Sequence, residues 1–188
     1  LFSYSFSNDN KKIENIYFDI IDAKMGLSNS SVSSIVQDSK GFLWFSTQNG
    51  LNRFDGKSFL IFNKKPFEKN SIPNQLIQTM YMDKDDILWL GTYGGLCKFD
   101  IKKNKFTTYK NIVDDKNSLS NDVVIAIERD KEGKLWVGTL KGLQIFDEKK
   151  EKFERVFFDR KEDGPTNEST IRDIYADSLG NVWIGTYD

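Results

Sequence analysis

Four tryptophans, Trp44, Trp89, Trp136 and Trp183, stand 45, 47 and 47 residues apart, and the chain has no others. Self-similarity at such a period restricts a chain to architectures made by stacking one small unit on the next. The rest of each unit is tied to its Trp. An Asp precedes it by six residues (Asp38, Asp83, Asp130, Asp177) and a Thr follows it by three (Thr47, Thr92, Thr139, Thr186). Gly-Leu pairs follow at six and seven (Gly50-Leu51, Gly95-Leu96, Gly142-Leu143), and Phe-Asp pairs at ten and eleven (Phe54-Asp55, Phe99-Asp100, Phe146-Asp147). Asp55 and Phe59 are four residues apart, whereas Asp100 and Phe106, like Asp147 and Phe153, are six apart. Each of these Phe residues precedes the next Trp by thirty, so the variation is confined to one hairpin tip, where length costs least.

Each unit reads as four short strands. The first, Val32 to Gln37 or Val123 to Arg129, is rich in β-branched residues. It ends in a turn with Asp first and Gly fourth, Asp38-Ser39-Lys40-Gly41 or Asp130-Lys131-Glu132-Gly133. The second carries Leu43-Trp44-Phe45, Leu88-Trp89-Leu90, Leu135-Trp136-Val137 or Val182-Trp183-Ile184, apolar on consecutive residues. Successive side chains point to opposite faces of a sheet, so both faces must be covered. Leu51 to Phe54 and Phe59 to Phe62 supply the third and fourth strands of the first unit. Four-stranded antiparallel sheets, each covered by the sheets before and after it, predict an all-β fold, a β-propeller. The helical periodicity of a TPR or HEAT array is absent, and a β-helix needs shorter repeats.

The repeat boundaries predict blade 1 at residues 27–63, blade 2 at 72–110, blade 3 at 119–160 and the first half of blade 4 at 168–188. Residues 1–15 read as a lead-in and 16–26 as the outer strand of a closing blade. Because propellers have about four to eight blades, three and a half imply a segment of a larger propeller of about seven.

Composition narrows function. With 38% apolar and 14% aromatic residues among 188, the chain has the material for a real core. Its 27 basic and 28 acidic residues leave no charge excess to grip a phosphate backbone or an anionic membrane. Histidine is absent, which excludes Ser-His-Asp and Cys-His catalysis and removes the commonest ligand of a catalytic zinc. No cofactor or metal is expected; Asp83-Lys84-Asp85-Asp86 lacks the spacing and terminal Glu of an EF-hand loop. The longest apolar run, Val123 to Ile127, falls far short of the ~20 residues of a membrane span. Cys97 replaces Asn52 and Gln144 at the equivalent repeat position, has no second cysteine to pair with, and reads as a structural thiol.

The repeated Trp and Asp residues read as scaffold: the former as fillers between sheets, the latter as acceptors of turn N–H groups. The lysines at 102, 103, 105, 149, 150 and 152 read as solvated hairpin tips. Site candidates are sought instead where one end of the blades gathers the loops entering each first strand and joining each second to third. The entering loops offer Asn29-Ser30, Asn74-Gln75, Asn121-Asp122 and Glu168-Ser169; the others offer Gln48-Asn49, Tyr93-Gly94, Leu140-Lys141 and Tyr187-Asp188. From these, Asn29, Gln48, Asn49, Asn74, Gln75, Tyr93, Asn121, Asp122, Lys141, Glu168 and Tyr187 form the candidate ligand-binding set. Amides, carboxylates and tyrosine rings are what a neutral sugar requires, although polar residues are also what any exposed loop contains.

The run Leu27-Ser28-Asn29, Val32 to Asp38, Gly41, Trp44, Thr47 and Gly50-Leu51-Asn52-Arg53-Phe54-Asp55-Gly56 resembles the two-component regulator propeller repeat, and the likeness extends from Ile16 to Asp188. Such repeats build the extracytoplasmic sensor region of hybrid two-component systems, best represented in gut Bacteroides and their relatives. The departures are Asp86 in place of the turn Gly, Ser46 in place of Gly91, Gly138 and Gly185, and Ile145 in place of Arg53 and Lys98. The resemblance implies a non-catalytic, periplasmic sensor segment of an inner-membrane protein. Its partners would be the remaining blades and domains of the parent sensor and an oligosaccharide or other small ligand from polysaccharide breakdown. The histidine kinase, the transmembrane helix that would provide the only membrane contact, and any DNA-binding part would lie elsewhere in the parent. Two other readings remain open: a propeller glycosidase or lyase with paired carboxylates drawn from Asp122, Glu168 and Asp188, or a protein-binding scaffold that self-associates through open blade edges.

Overall fold

The computed structural model describes residues 2–3, 18–160, 164–166 and 169–187. Three four-stranded antiparallel sheets follow one another, each a simple meander. Blade 1 comprises Val32–Gln37, Leu43–Thr47, Gly50–Phe54 and Phe59–Phe62; blade 2 comprises Ile77–Met82, Ile87–Thr92, Gly95–Asp100 and Lys105–Tyr109. Blade 3 comprises Val124–Arg129, Leu135–Thr139, Gly142–Asp147 and Lys152–Val156, and Ile171–Ala176 pairs with Val182–Thr186 as the start of blade 4. The first strands of successive blades lie beside one another, so they are innermost and the fourth strands outermost. Each inner strand carries a bulge at the same place, Val32/Ser34, Ile77/Thr79, Val124/Ala126 and Ile171/Asp173.

Two features lie outside the predicted pattern. A short hairpin, Phe158–Arg160 with Gly164–Thr166, is inserted between blade 3 and the half blade. In the stretch predicted as a closing outer strand, Asp19–Ile20 pairs with Phe2–Ser3, and residues 16 and 17 lie outside the described residues.

The spacing of Asp and Trp has a physical cause. One carboxylate oxygen of each Asp accepts turn N–H groups: Asp38 Oδ1 from Lys40 and Phe42, Asp83 Oδ1 from Lys84, Asp130 Oδ1 from Lys134, and Asp177 Oδ1 from Leu179 and Asn181. The other oxygen accepts the indole Nε1–H of the Trp six residues on, at 2.9, 3.1, 2.7 and 2.9 Å in chain order. The turn is thus bolted to the ring that fills the core. The ring faces forward: Trp44 packs with Leu88, Leu90 and Phe99 of blade 2, and Trp89 with Leu135, Val137 and Phe146 of blade 3. Both edge-on Phe contacts are alike, 5.7 Å and 74° for Trp44–Phe99 against 5.8 Å and 78° for Trp89–Phe146. Trp44 and Trp89 are 0% exposed, Trp136 is half-buried against the start of blade 4, and Trp183 is 63% exposed. Covering one such ring removes ~150–250 Å² from water, on the order of 4–6 kcal/mol of transfer free energy at ~25 cal/mol per Å².

Other repeated residues also close hydrogen bonds. Thr47, Thr92 and Thr139 donate to the carbonyls of Gly50, Gly95 and Gly142 and accept the N–H of Asn49, Gly94 and Lys141, fixing each second-to-third loop. The Phe-Asp aspartates cap the next hairpin, Asp55 from Lys57 and Ser58, Asp100 from Lys103 and Asp147 from Lys149 and Lys150. Connections between blades are held by Ser71 and Ser118, whose hydroxyls accept the N–H of Lys65 and Ile112. They protect the outer edge of the following blade: Asn70 accepts the Phe106 N–H, and the Asn117 carbonyl accepts that of Phe153.

The departures from the repeat are compensated locally. Asp86 adopts the left-handed φ of 60° that Gly41 (φ 85°) supplies in blade 1. Its buried carboxylate accepts the N–H and hydroxyl of Ser39 in the preceding blade and pairs with Lys102. These bonds, the Ser39 N–H first, hold the Asp86 carboxyl below its ordinary range. The next joint is ionic: Arg129 of blade 3 pairs with Asp83 of blade 2 and with Glu148, which also meets Lys98. Where blades 1 and 3 pair Ser28 with Asn52 and Ser120 with Gln144, blade 2 has Pro73 and Cys97. Asn52 Oδ1 accepts the Ser28 N–H (2.9 Å) and Gln144 Oε1 that of Ser120 (2.6 Å). Proline has no N–H, so the partner needs no acceptor, and a thiol fits. Burial pushes that thiol up to about 12, which keeps it protonated and inert.

Three outcomes follow for stability. Cys97→Asn leaves a buried amide oxygen without its donor and should cost about 1–3 kcal/mol, whereas Pro73→Ser combined with Cys97→Asn rebuilds the Ser–Asn pair; urea melts of both singles and the double should show a favourable coupling energy. Gly91→Ala places a Cβ 2.6 Å from Thr79 Cγ2 and 2.9 Å from the Val124 carbonyl of the next blade. It should lower stability by about 1–3 kcal/mol, as read by the same melts. The Asp177 carboxyl is lowered from 3.8 to about 2, first by the Trp183 indole and then by the Asn181 amide. A depressed carboxyl stabilises above its unfolded value, and the benefit is lost as pH falls through the folded one. The Trp183 indole N–H resonance should therefore hold its shift from neutral pH to about pH 3 and lose it as pH falls toward 2.

Candidate functional site

The end of the blades carrying the entering loops and the second-to-third loops forms one continuous face joined by backbone hydrogen bonds. Gly50 N–H donates to Gln75 O (3.0 Å), Gly95 N–H to Asp122 O (2.8 Å) and Gly142 N–H to Ser169 O (3.0 Å), each from one blade to the next. Within blades, Tyr93, Leu140 and Tyr187 donate to the carbonyls of Leu76, Val123 and Thr170. The structure therefore brings together the described members of the candidate set; Glu168 and Asp188 lie outside the described residues.

Their side chains divide into two groups. Asn29, Asn74 and Asn121 each accept the N–H two residues on, from Ser31, Leu76 and Val123 at 2.7, 3.0 and 2.9 Å. These are Asx turns that start each inner strand, so the repeated Asn serves the fold with its oxygen. Asp122 Oδ1 accepts the Asn111 N–H at 2.7 Å, anchoring the preceding connection. The Asn49 amide reaches the Ser28 carbonyl at 3.4 Å. Gln48, Gln75, Tyr93 and Lys141 are not engaged in this way and are open to solvent or half-open. Tyr187 lies under the Arg172 guanidinium, 4.7 Å from ring centre to Cζ, an open cation–π pair between the innermost strand and the residue that follows the second.

Several charged residues at or near this face are absent from the predicted set. Arg172 sits at the bulge of its strand, Arg155 on an outer strand, and Lys116 in the connection between blades 2 and 3. The candidate loops lie at strand junctions, and neither a strand residue beside the face nor a connection folding back over it carries a local sequence signal. Among carboxylates, Glu128 on the inner strand of blade 3 is raised, first by burial and then by Asp173 on the neighbouring inner strand. Asp83 and Asp86, three residues apart in sequence, diverge to Trp89 with Arg129 and to Ser39 with Lys102. Among the described residues no cluster of three or more His, Cys, Asp or Glu is arranged to hold a metal ion. No helix among them is long and apolar enough to cross a membrane.

The comparisons fit this architecture. The sequence model of the two-component regulator propeller matches residues 26–49, 71–94, 118–141 and 165–188, just over half of the chain. A histidine kinase P4 of Formosa agariphila is 51% identical over 47 residues, which is 25% of this chain and 3% of that protein. The extracellular domain assigned to the hybrid two-component system BT3049 of B. thetaiotaomicron superposes with a TM-score of 0.73 at 26% identity, covering 89% of this chain and 29% of that one. The WD40 β-propeller domain of Doa1 superposes with a TM-score of 0.61 at 12% identity, over 86% of this chain and 50% of that one, a likeness of fold alone. This chain thus spans less than a third of the sensor domain and a small part of the kinase that it resembles. Four-stranded blades locked by Asp–Trp clamps, the four matched repeats and the likeness to the extracellular domain of a two-component sensor lead to one assignment: the chain belongs to the two-component regulator propeller family.

Proposed function

We propose that this chain is a ligand-sensing segment of the periplasmic sensor region of a hybrid two-component system. In this reading it detects a soluble breakdown product of a polysaccharide, and the parent sensor regulates use of that polysaccharide. The observation that carries it is a loop face whose backbone repeats while its free side chains do not: Gln48, Gln75, Tyr93 and Lys141 stand on a scaffold that needs none of them. Hydrogen-bonding amides beside an aromatic face suit a sugar ring. Ligand binding would act by favouring one arrangement of this propeller against its neighbours, which requires differential affinity and no chemistry in this segment. The phospho-accepting histidine of a kinase is not in this chain, which contains no His.

Isothermal titration and thermal shift of the chain against a panel of oligosaccharides test the reading. At least one glycan should bind saturably and raise Tm, and Tyr93→Ala should weaken it by roughly tenfold, the effect of removing one aromatic platform. A panel without heat or shift would overturn it. Release of reducing ends during incubation would instead favour the glycosidase reading.

A further inference from the structure

A cleft of about 440 Å³ opens where the connection between blades 2 and 3 passes over the loop end of blade 3. Asn111 to Lys116 form one wall, Ser120 and Lys141 stand across from it, and Arg155 enters from the outer strand. The volume lies within the ~300–1,000 Å³ usual for small-molecule sites. The wall is fixed by short hydrogen bonds: Asn111 N–H to Asp122 Oδ1 (2.7 Å), the Asn111 amide to Leu119 O (2.6 Å) and Ile112 N–H to Ser118 Oγ (2.9 Å).

The repeat acts as an internal control. The positions held by Lys141 and Arg155 in blade 3 are Gly94 and Thr108 in blade 2, and Asn49 and Ile61 in blade 1. The fold therefore needs no cation at either. Among the described residues Lys116, Lys141 and Arg155 form no ion pair, although they converge on one cleft. Of the two carboxylates in the same wall, Asp115 accepts the Asn117 N–H, which leaves Asp114 to face a ligand.

We propose that this cleft binds an acidic sugar, a hexuronate residue of an oligosaccharide; the inference rests on the ligand-sensing reading above and names its substrate class. The planar guanidinium of Arg155 offers the fork that a carboxylate accepts bidentately, and Lys116 and Lys141 add charge around it. Asn111 Oδ1, Ser120 Oγ and the Asp114 carboxylate supply acceptors for ring hydroxyls, and the N–H groups of the three cations supply donors beside them.

The test is titration of the chain with digalacturonate and with a glucuronate-containing disaccharide, beside the neutral galactobiose. At least one acidic sugar should bind saturably, more weakly as salt is added. Arg155→Thr and Lys141→Gly install the residues with which blade 2 folds, so the variants should melt near the parent temperature. Each should weaken the acidic sugar by roughly tenfold or more, the loss expected for one charge-assisted pair, and Arg155→Thr, which lies outside the loop set above, should leave galactobiose unchanged. Equal affinity for acidic and neutral sugars, or acidic-sugar binding untouched in both variants, would overturn the assignment. If neutral glycans bind and neither acidic sugar does, the ligand-sensing reading stands and the acidic-sugar site falls. If no glycan binds at all, both fall.

Discussion

In each blade a single carboxylate accepts turn N–H groups through one oxygen and an indole N–H through the other, and the indole then enters the core of the next blade. A surface turn, an interior side chain and the interface to the following sheet are thereby fixed by one residue. The arrangement also explains why the ring must be Trp: it is the largest apolar side chain and carries a single donor at its edge, so it can fill the gap between sheets while its polar atom is satisfied. Trp44 and Trp89 are fully covered by the four-stranded blade that follows each of them.

Much of this is legible in the sequence because β-branched strands apolar on both faces, turn chemistry and the Trp spacing all agree. The strands Val32–Gln37 and Phe59–Phe62 match their predicted limits, and the Asp-first turns occur as read. The link between Asp and Trp has no signal of its own in the sequence: six residues separate them across a hairpin, and only the register, with Val36 opposite Trp44, brings the indole back over the turn. The hairpin at Phe158–Arg160 is likewise without a signal, since it belongs to no repeat.

The loop face was legible as a place and less so as a set of roles. Asn29, Asn74 and Asn121 were candidates because amides suit sugars, yet their recurrence at one position marks the Asx turn that begins each inner strand. Asp122 is an anchor for a similar reason. Arg155 carried the opposite difficulty: it lies within a strand, where an alternating pattern reads as scaffold, and its exposure to the cleft depends on a connection that folds back from residues 111 to 116.

The exchange of Ser and Asn for Pro73 and Cys97 separates two kinds of polar contact. Ser28 with Asn52, like Ser120 with Gln144, lies wholly inside one unit and would travel intact if that unit were moved. Ser39 with Asp86, and Asp83 with Arg129, straddle joints between units. A blade transplanted to another position would keep its own fold and arrive with mismatched charges at both seams. The blades of this near-uniform array are therefore not interchangeable tiles: the internal pairs encode what a blade is, and the seam pairs encode which blade comes next.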